Sequence, residues 1–255
     1  MTALDPAFLR RPLAHRALHD LQAGRPENSR AAIRAAVDAG YGIEIDVQMS
    51  SDGVAMVFHD DDLDRLTDAT GPIRARSAAG LAAIALTGGD EGIPTLAEVL
   101  ALVAGRVPLL VEVKDQHGQM GPVDGVLEAA VARDLAGYDG PFAVMSFNPH
   151  SVNALRRAAP DVPRGIVSCA YRAEDCPELP QDVRDRLRGI PDYARVGACF
   201  ISHEWDDLDR PRVAELAAGG AAILCWTIRS PEAERAARRI AANITFERYL
   251  PDQPS

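Results

Sequence analysis

No stretch of this 255-residue chain approaches the roughly 20 consecutive apolar residues that a membrane span requires. Its first residues, MTALDPAFLRR, lack a basic segment followed by an apolar one, so no secretory signal is expected. A basic stripe is also missing. The net charge is −10, which leaves nothing to neutralise a phosphate backbone and predicts no nucleic-acid partner. The same charge predicts no stable association with an anionic membrane surface. There are 4 cysteines, Cys169, Cys176, Cys199 and Cys225, and none forms a C-x-x-C pair. Cys199 and Cys225 lie inside apolar strand patterns, so buried free thiols and a cytoplasmic location are expected. No repeat, low-complexity tract or linker divides the chain, and no signal points to a particular oligomeric state. With 47% hydrophobic residues, residues 1–255 suffice for one domain with a full core.

What is present alternates between strand and helix patterns. Residues 12–14 read as a short strand ending at His15-Arg16. Ser29 caps a helix with Ile33, Ala36 and Val37 buried, and Gly40 ends it. Thr95 and Glu98 form a capping box that opens a helix with Leu96, Val99, Leu100 and Val103 inward. Further strands are predicted at 107–114, 142–147, 165–168, 198–202, 221–227 and 243–246. Further helices are predicted at 77–86, 123–135, through Ala154-Leu155, at 210–218, and from Ser230-Pro231 to Arg238-Arg239. Residues 171–192 are polar and punctuated by proline, with no assigned element. At this length the alternation predicts an α/β fold, a (β/α)₈ TIM barrel in a single domain. One strand candidate is surplus to the eight of a barrel. It is accounted for if residues 54–58 form an extra β-hairpin strand, antiparallel to 42–47 and beside the barrel.

Residues 43–60, IEIDVQMSSDGVAMVFHD, carry the chemistry most densely. Ile43, Ile45 and Val47 point one way, Glu44 and Asp46 the other. Two carboxylates that close on a buried segment repel, and a divalent cation is the simplest partner for both. Oxygen ligands point to Mg²⁺ or Ca²⁺. Asp52-Gly53 suits a tight turn, and a turn centred on residues 51 and 52 would set His59 roughly opposite Glu44. Taken singly, Glu44 and Asp46 could line the wet face of an edge strand, and His59 could be an ordinary loop residue. Their joint presence in one hairpin favours a site.

Polar residues also follow the C-terminal ends of other apolar strands, where barrel enzymes place their chemistry. His15 and Arg16 end the first strand, Glu112 and Lys114 sit late in VPLLVEVK, and Ser146, His203 and Trp226 end later ones. Gathered at one mouth, these give three carboxylates for a cation, histidines for acid and base, and Arg16 with Lys114 for an anion. A dication plus two cationic side chains exceeds what a neutral sugar needs, so the anion is read as a phosphate. Histidines beside a phosphorus suit acid–base work because they titrate near neutrality.

His15-Arg16, Pro26-Glu27-Asn28-Ser29, Glu44-x-Asp46-Val47, Asp52-Gly53, His59-Asp60, Leu63-x-Arg65-x-Thr67, Gly71, Ile93-Pro94-Thr95-Leu96, Glu112-x-Lys114, Ser146-Phe147 and Trp226-Thr227 together resemble the glycerophosphodiester phosphodiesterases, cytoplasmic bacterial type. The resemblance implies a TIM barrel that uses one divalent cation, Mg²⁺ or Ca²⁺, to split small-molecule glycerophosphodiesters into glycerol 3-phosphate and an alcohol. It implies Glu44, Asp46 and Glu112 as metal ligands, His15 and His59 as the acid–base pair, and Arg16 and Lys114 as phosphate ligands. Phe147, His203 and Trp226 are candidate substrate-lining residues, each with a packing role as the alternative. His19 reads as a solvated loop residue, and Glu27 as ordering the first loop.

Three positions depart from the family pattern. Ala17 replaces the glycine after His-Arg, where positive φ is harder for a residue with a Cβ. Arg229 stands where an Asn often follows Trp-Thr-x, and Phe246-Glu247-Arg248-Tyr249 replaces the closing Thr-Asp-x-Pro. Rival readings are a phospholipase-D-like lyase that stops at a cyclic phosphate, a retaining glycosidase using Glu44 and Glu112, and a non-catalytic glycerophosphodiester-binding barrel. Arg16, Lys114 and two histidines are surplus to a glycosidase, and no histidine or carboxylate is missing, as a binding protein would allow.

Overall fold

The computed structural model describes residues 2–252. Its strands are β1 (Leu13–Ala14), β2 (Gly42–Met49), β3 (Ala55–Val57), β4 (Leu109–Val113), β5 (Phe142–Ser146), β6 (Arg164–Ser168), β7 (Phe200–Glu204), β8 (Ala222–Ile228) and β9 (Asn243–Phe246). All but β3 are parallel and close into a barrel, because Leu13 pairs with Gly42 on one side and with Thr245 on the other. β3 pairs antiparallel with the far end of β2 and stands outside the ring. The (β/α)₈ expectation and its surplus hairpin strand therefore both hold.

The helices are α1 (Arg30–Ala39), α2 (Ala78–Ala82), α3 (Leu96–Val103), α4 (Val126–Leu135), α5 (Pro149–Ala158), α6 (Gln181–Arg188), α7 (Pro211–Ala218) and α8 (Pro231–Ala237). The Ser29 hydroxyl accepts from the Ala32 amide, and Gly40 ends α1 with φ +77°. The Thr95–Glu98 capping box is present in both directions. The helix expected over 77–86 is only the short α2, which follows the Ser77 cap. Residues 171–192 contain α6. Its only buried residue is Leu187, so it offers too little apolar stripe to read.

Side chains two apart on a strand share a face, and this parity sorts the core. Outward positions such as Ile43, Ile45, Val47, Val111 and Ile201 pack against the helices. Inward positions Leu13, Leu110, Ala143, Phe200 and Leu224 fill the barrel near the strand starts, together with Phe8 from the 3₁₀ turn Pro6–Leu9. Asn243 donates to the carbonyls of Phe8 and Arg11 at 2.6 and 2.7 Å, which ties that turn to β9. Gly165 faces the same interior. A Cβ there would lie 2.2 Å from the Phe200 ring, so the glycine admits the aromatic. Around β3, Met56, Phe58, Leu63, Ile73, Leu81 and Ile93 form a smaller apolar cluster of their own.

The hairpin register differs by one residue from the sequence expectation. Val47 pairs with Val57 and Met49 with Ala55, which leaves a five-residue loop from 50 to 54. Extended along β2, that register sets His59 opposite Ile45 rather than Glu44. Ser50 accounts for the longer loop: its hydroxyl accepts from the Val54 amide at 2.9 Å and donates to Asp52 at 2.7 Å. Gly53, at φ +79°, turns the chain. The four cysteines are free thiols. Cys169 and Cys225 are buried, whereas Cys176 and Cys199 are only partly so.

Candidate active site

The inward positions near the strand ends line a cavity of about 150 Å³. Around it stand His15, Arg16, Glu44, Asp46, His59, Glu112, Lys114, Phe147 and Trp226, all nine of them singled out from sequence. Parallel pairing sets Asp46 beside Glu112 and Glu44 beside Leu110, so three carboxylates converge on one wall. One oxygen each from Glu44, Asp46 and Glu112 lies within 4.8 Å of the others, and the three residues are 2%, 2% and 8% exposed.

Burial and then the charges of Asp46 and Glu112 push the Glu44 carboxyl well above its ordinary value. Burial acts the same way on Asp46, but Lys114, His59 and Arg16 outweigh it and hold that carboxyl far below the usual range. The Lys114 ammonium lies 3.0 Å from Glu112 and 3.5 Å from Asp46. These carboxylates hold Lys114 above its ordinary value despite burial. Arg16 adds a second positive charge, with Nε 3.7 Å from Asp46. Arg16 and Lys114 offset only part of the charge of three carboxylates so close together, and Glu44 is left favouring its protonated form. An all-oxygen cluster of this kind fits a hard divalent cation, which would relieve that repulsion. Glu44, Asp46 and Glu112 are the residues that would hold it.

The loop after β1 is bent over this wall. Arg16 and Ala17 both adopt left-handed backbone, at φ +52° and +66°. Ala17 therefore takes the conformation that the sequence comparison with glycine disfavoured, at a cost of roughly 1–2 kcal/mol. Local bonds offset it: the Arg16 amide donates to Glu44 Oε2 and the Ala17 amide to the Glu44 carbonyl, both at 3.0 Å. The sequence marks Asn28 only as part of the Pro26-Glu27-Asn28-Ser29 motif. It donates to Asp46 Oδ2 at 3.0 Å and is itself 1% exposed. Its φ of +58° is one that asparagine tolerates well, and that tolerance was the available signal.

Both histidines face the cavity with one ring nitrogen tied behind. His15 Nδ1 lies 2.7 Å from Glu247 Oε2, and His59 Nδ1 lies 2.6 Å from Asp60 Oδ1. Burial lowers the His15 pKa, while the bond to Glu247 opposes that. Asp60 is gripped by Arg65 at 2.6 and 2.7 Å, Arg65 reaches Glu27, and Glu27 accepts from Arg16 at 2.8 Å. Glu27 thus orders the first loop by bridging two arginines. Gln48 donates to the His59 carbonyl at 3.2 Å and fixes that turn from below.

Phe147 meets Trp226 edge to face with ring centroids 5.5 Å apart, and Trp226 Nε1 donates to the Ser202 carbonyl at 3.0 Å. These two rings form the apolar wall. His203 does not join it. Ser202 faces the cavity, so its neighbour His203 faces outward, fully buried between Ser168 Oγ at 2.8 Å and Asp207. His19 lies behind His15, with Nε2 3.6 Å from Glu247.

Comparison with known proteins adds an independent line. A family model described as the glycerophosphoryl diester phosphodiesterase family matches residues 15–245. A Bacillus subtilis relative, provisionally named as a glycerophosphodiester phosphodiesterase, is 26% identical over 80% of this chain and 82% of its own length. A Caldanaerobacter subterraneus glycerophosphodiester phosphodiesterase is 30% identical over 56% of this chain and 61% of its own. Among solved structures, an Oleispira antarctica phosphodiesterase in complex with its product sn-glycerol-3-phosphate superposes with a TM-score of 0.76. It is 25% identical, over 94% of each chain.

Proposed function

Since this chain belongs to the glycerophosphoryl diester phosphodiesterase family, it is a phosphoric diester hydrolase, and we propose that it cleaves glycerophosphodiesters to glycerol 3-phosphate and an alcohol by histidine acid–base chemistry beside one divalent cation. The observation that carries this reading is the content of one small cavity: three clustered carboxylates, three cationic side chains and two imidazoles.

Arg16 and Lys114, the two cations beside the carboxylate cluster, bind the phosphate. Glu44, Asp46 and Glu112 would hold Mg²⁺ or Ca²⁺. Such an ion supplies Lewis acidity toward phosphate oxygen and lowers the pKa of a nearby hydroxyl. His15 and His59 each have Nδ1 engaged by a carboxylate, so Nε2 is the nitrogen left to exchange a proton with substrate. One imidazole takes the proton of the glycerol 2-hydroxyl as its oxygen attacks phosphorus. The other protonates the departing alkoxide. The resulting cyclic phosphate is opened by water with the two roles reversed. Phe147 and Trp226 shield one side of the cavity from solvent.

Among the described residues no helix is long and apolar enough to cross a membrane. The free thiols accord with a reducing, cytoplasmic compartment. The substrate is read as a free small molecule. The experiment is to incubate the protein and Mg²⁺ or Ca²⁺ with a panel of glycerophosphodiesters and assay glycerol 3-phosphate. Release of that product is expected. Accumulation of a cyclic phosphate alone would assign the chain to lyase chemistry, and no turnover of any diester would reject the reading.

A further inference from the structure

Two departures from the family pattern, at positions 229 and 247, meet in space. Glu247 Oε1 accepts from Arg229 Nε at 2.7 Å, and its other oxygen faces His15 Nδ1 at 2.7 Å. The Glu247 side chain is 9% exposed, and burial alone would raise its carboxyl. The hydrogen bonds to His15 and Arg229, with His19 close by, hold it far below the ordinary range instead. The groups around it are His15, His19 Nε2 at 3.6 Å, Arg229, and Arg248 Nε at 3.5 Å. No other carboxylate pairs with His15 among the described residues.

We propose that Glu247, held by Arg229, is the positioning residue of His15: it accepts a hydrogen bond from Nδ1–H, fixes the ring plane, and leaves Nε2 as the acceptor that faces the cavity. The proposal rests on the reading of His15 as an acid–base residue. Position 247 keeps a carboxylate, as the longer Glu where the family pattern has Asp, and Arg229 supplies a partner suited to it. A carboxylate at 247 orients the imidazole from one side, and the guanidinium at 229 fixes which oxygen points where. Arg229 spans 18 residues to reach Glu247, and Glu247 spans 232 to reach His15, so the unit is built where β8 and β9 meet β1.

The chemistry of Glu247→Gln makes the test sharp. Arg229 Nε is a donor, so it draws the amide oxygen of a glutamine and leaves the NH₂ group toward His15. An NH₂ there can only donate to Nδ1, which moves the imidazole proton to Nε2 and removes the acceptor from the cavity. The shape is unchanged and the tautomer is wrong.

The experiment measures kcat and KM of the metal-loaded enzyme for one glycerophosphodiester, with thermal unfolding as a check on folding. Glu247→Gln is expected to lower kcat roughly 10–100-fold, with KM within about 3-fold of the parent. Arg229→Gln, which keeps the carboxylate but loses its anchor, is expected to lower kcat by less, again without a matching rise in KM. In a His15→Ala background, adding Glu247→Gln is expected to change kcat no further, because a residue that acts only through His15 has nothing left to position. Unchanged kcat in folded Glu247→Gln, or an equal loss with and without His15, would overturn the proposal and leave Glu247 a barrel-closing residue. If Glu247→Gln does not fold, the Arg229→Gln result in the two backgrounds decides in the same way. A His15→Ala enzyme with normal turnover would instead refute the acid–base reading itself.

Discussion

Asn28 holds Asp46 by side chain and main chain at once. The Asn28 side-chain Nδ2 donates to Asp46 Oδ2 at 3.0 Å, and its Oδ1 accepts from the Asp46 backbone amide at 3.3 Å. Asn28→Gly removes both contacts while keeping a residue that accepts a φ of +58°. Groups that orient metal ligands typically matter 10–100-fold. Cation affinity, measured by titration calorimetry, is therefore expected to weaken by roughly that factor, with the fold retained. An unaltered affinity would show that Asp46 needs no such support.

The carboxylate cluster predicts metal dependence with a defined pH behaviour. EDTA is expected to abolish turnover, and Mg²⁺ or Ca²⁺ to restore it. Glu44 is raised well above its ordinary value, so the metal-free folded protein keeps a proton there that the unfolded chain has lost. From about pH 4.5 upward, toward the raised value, folding takes up that proton and Glu44 lowers stability as pH rises. Asp46 is depressed, so its contribution is present above the ordinary aspartate value and is lost only in stronger acid, outside that window. Cation binding expels the Glu44 proton. Affinity is expected to rise with pH over the window. Calorimetry in buffers of different ionisation enthalpy is expected to register proton release. Full activity in chelator would remove the cation from the site.

His15→Ala and His59→Ala are each expected to lower kcat by roughly 10²–10⁴, the range for a lost general acid or base. Circular dichroism and thermal unfolding check that each variant folds. A variant with near-parental turnover would return that histidine to a purely structural role.

The cyclic route predicts how the enzyme treats a diester whose glycerol lacks the 2-hydroxyl. Intramolecular attack can reach effective molarities of about 10⁵ M or more, so its removal is expected to abolish most turnover. Binding through Arg16, Lys114 and a cation held by the carboxylates would remain, and the analogue is expected to inhibit competitively. Comparable rates for analogue and parent would mean direct attack by water and would leave the histidine assignments standing.

Much of the local architecture was legible because its signals are local. Ser29, Gly40, Thr95 and Glu98 fix helix ends through residues a few positions away, and the 243–246 strand was placed correctly. That Glu44, Asp46, Glu112 and Lys114 share one inward face near the strand ends was legible by period-two spacing. What failed to show depends on geometry that spacing does not encode. The Ser50 side chain lengthens the 50–54 loop and moves His59 by one place in the register. His203 ends an apolar strand, as an active-site residue would, yet parity with Ser202 turns it away from the cavity. Positive φ is harder for Ala17 than for a glycine, yet the residue adopts it, with its own amide and that of Arg16 donating hydrogen bonds to Glu44. The Glu247–Arg229 pair was visible only as two departures, because the contact that unites them closes the ring.

The alternation along β2 has a consequence for how this protein can fail. A slip of β2 by a single residue against β1 and β4 would keep every backbone hydrogen bond of a barrel available. It would also carry Ile43, Ile45 and Val47 into the cavity and drive Glu44 and Asp46 under the helices. The slip changes which side chains meet rather than the number of strands, and it puts two carboxylates in an apolar layer at high cost. Turnover therefore serves as an assay of strand registration, and refolded material can be graded by activity per folded molecule rather than by helix content.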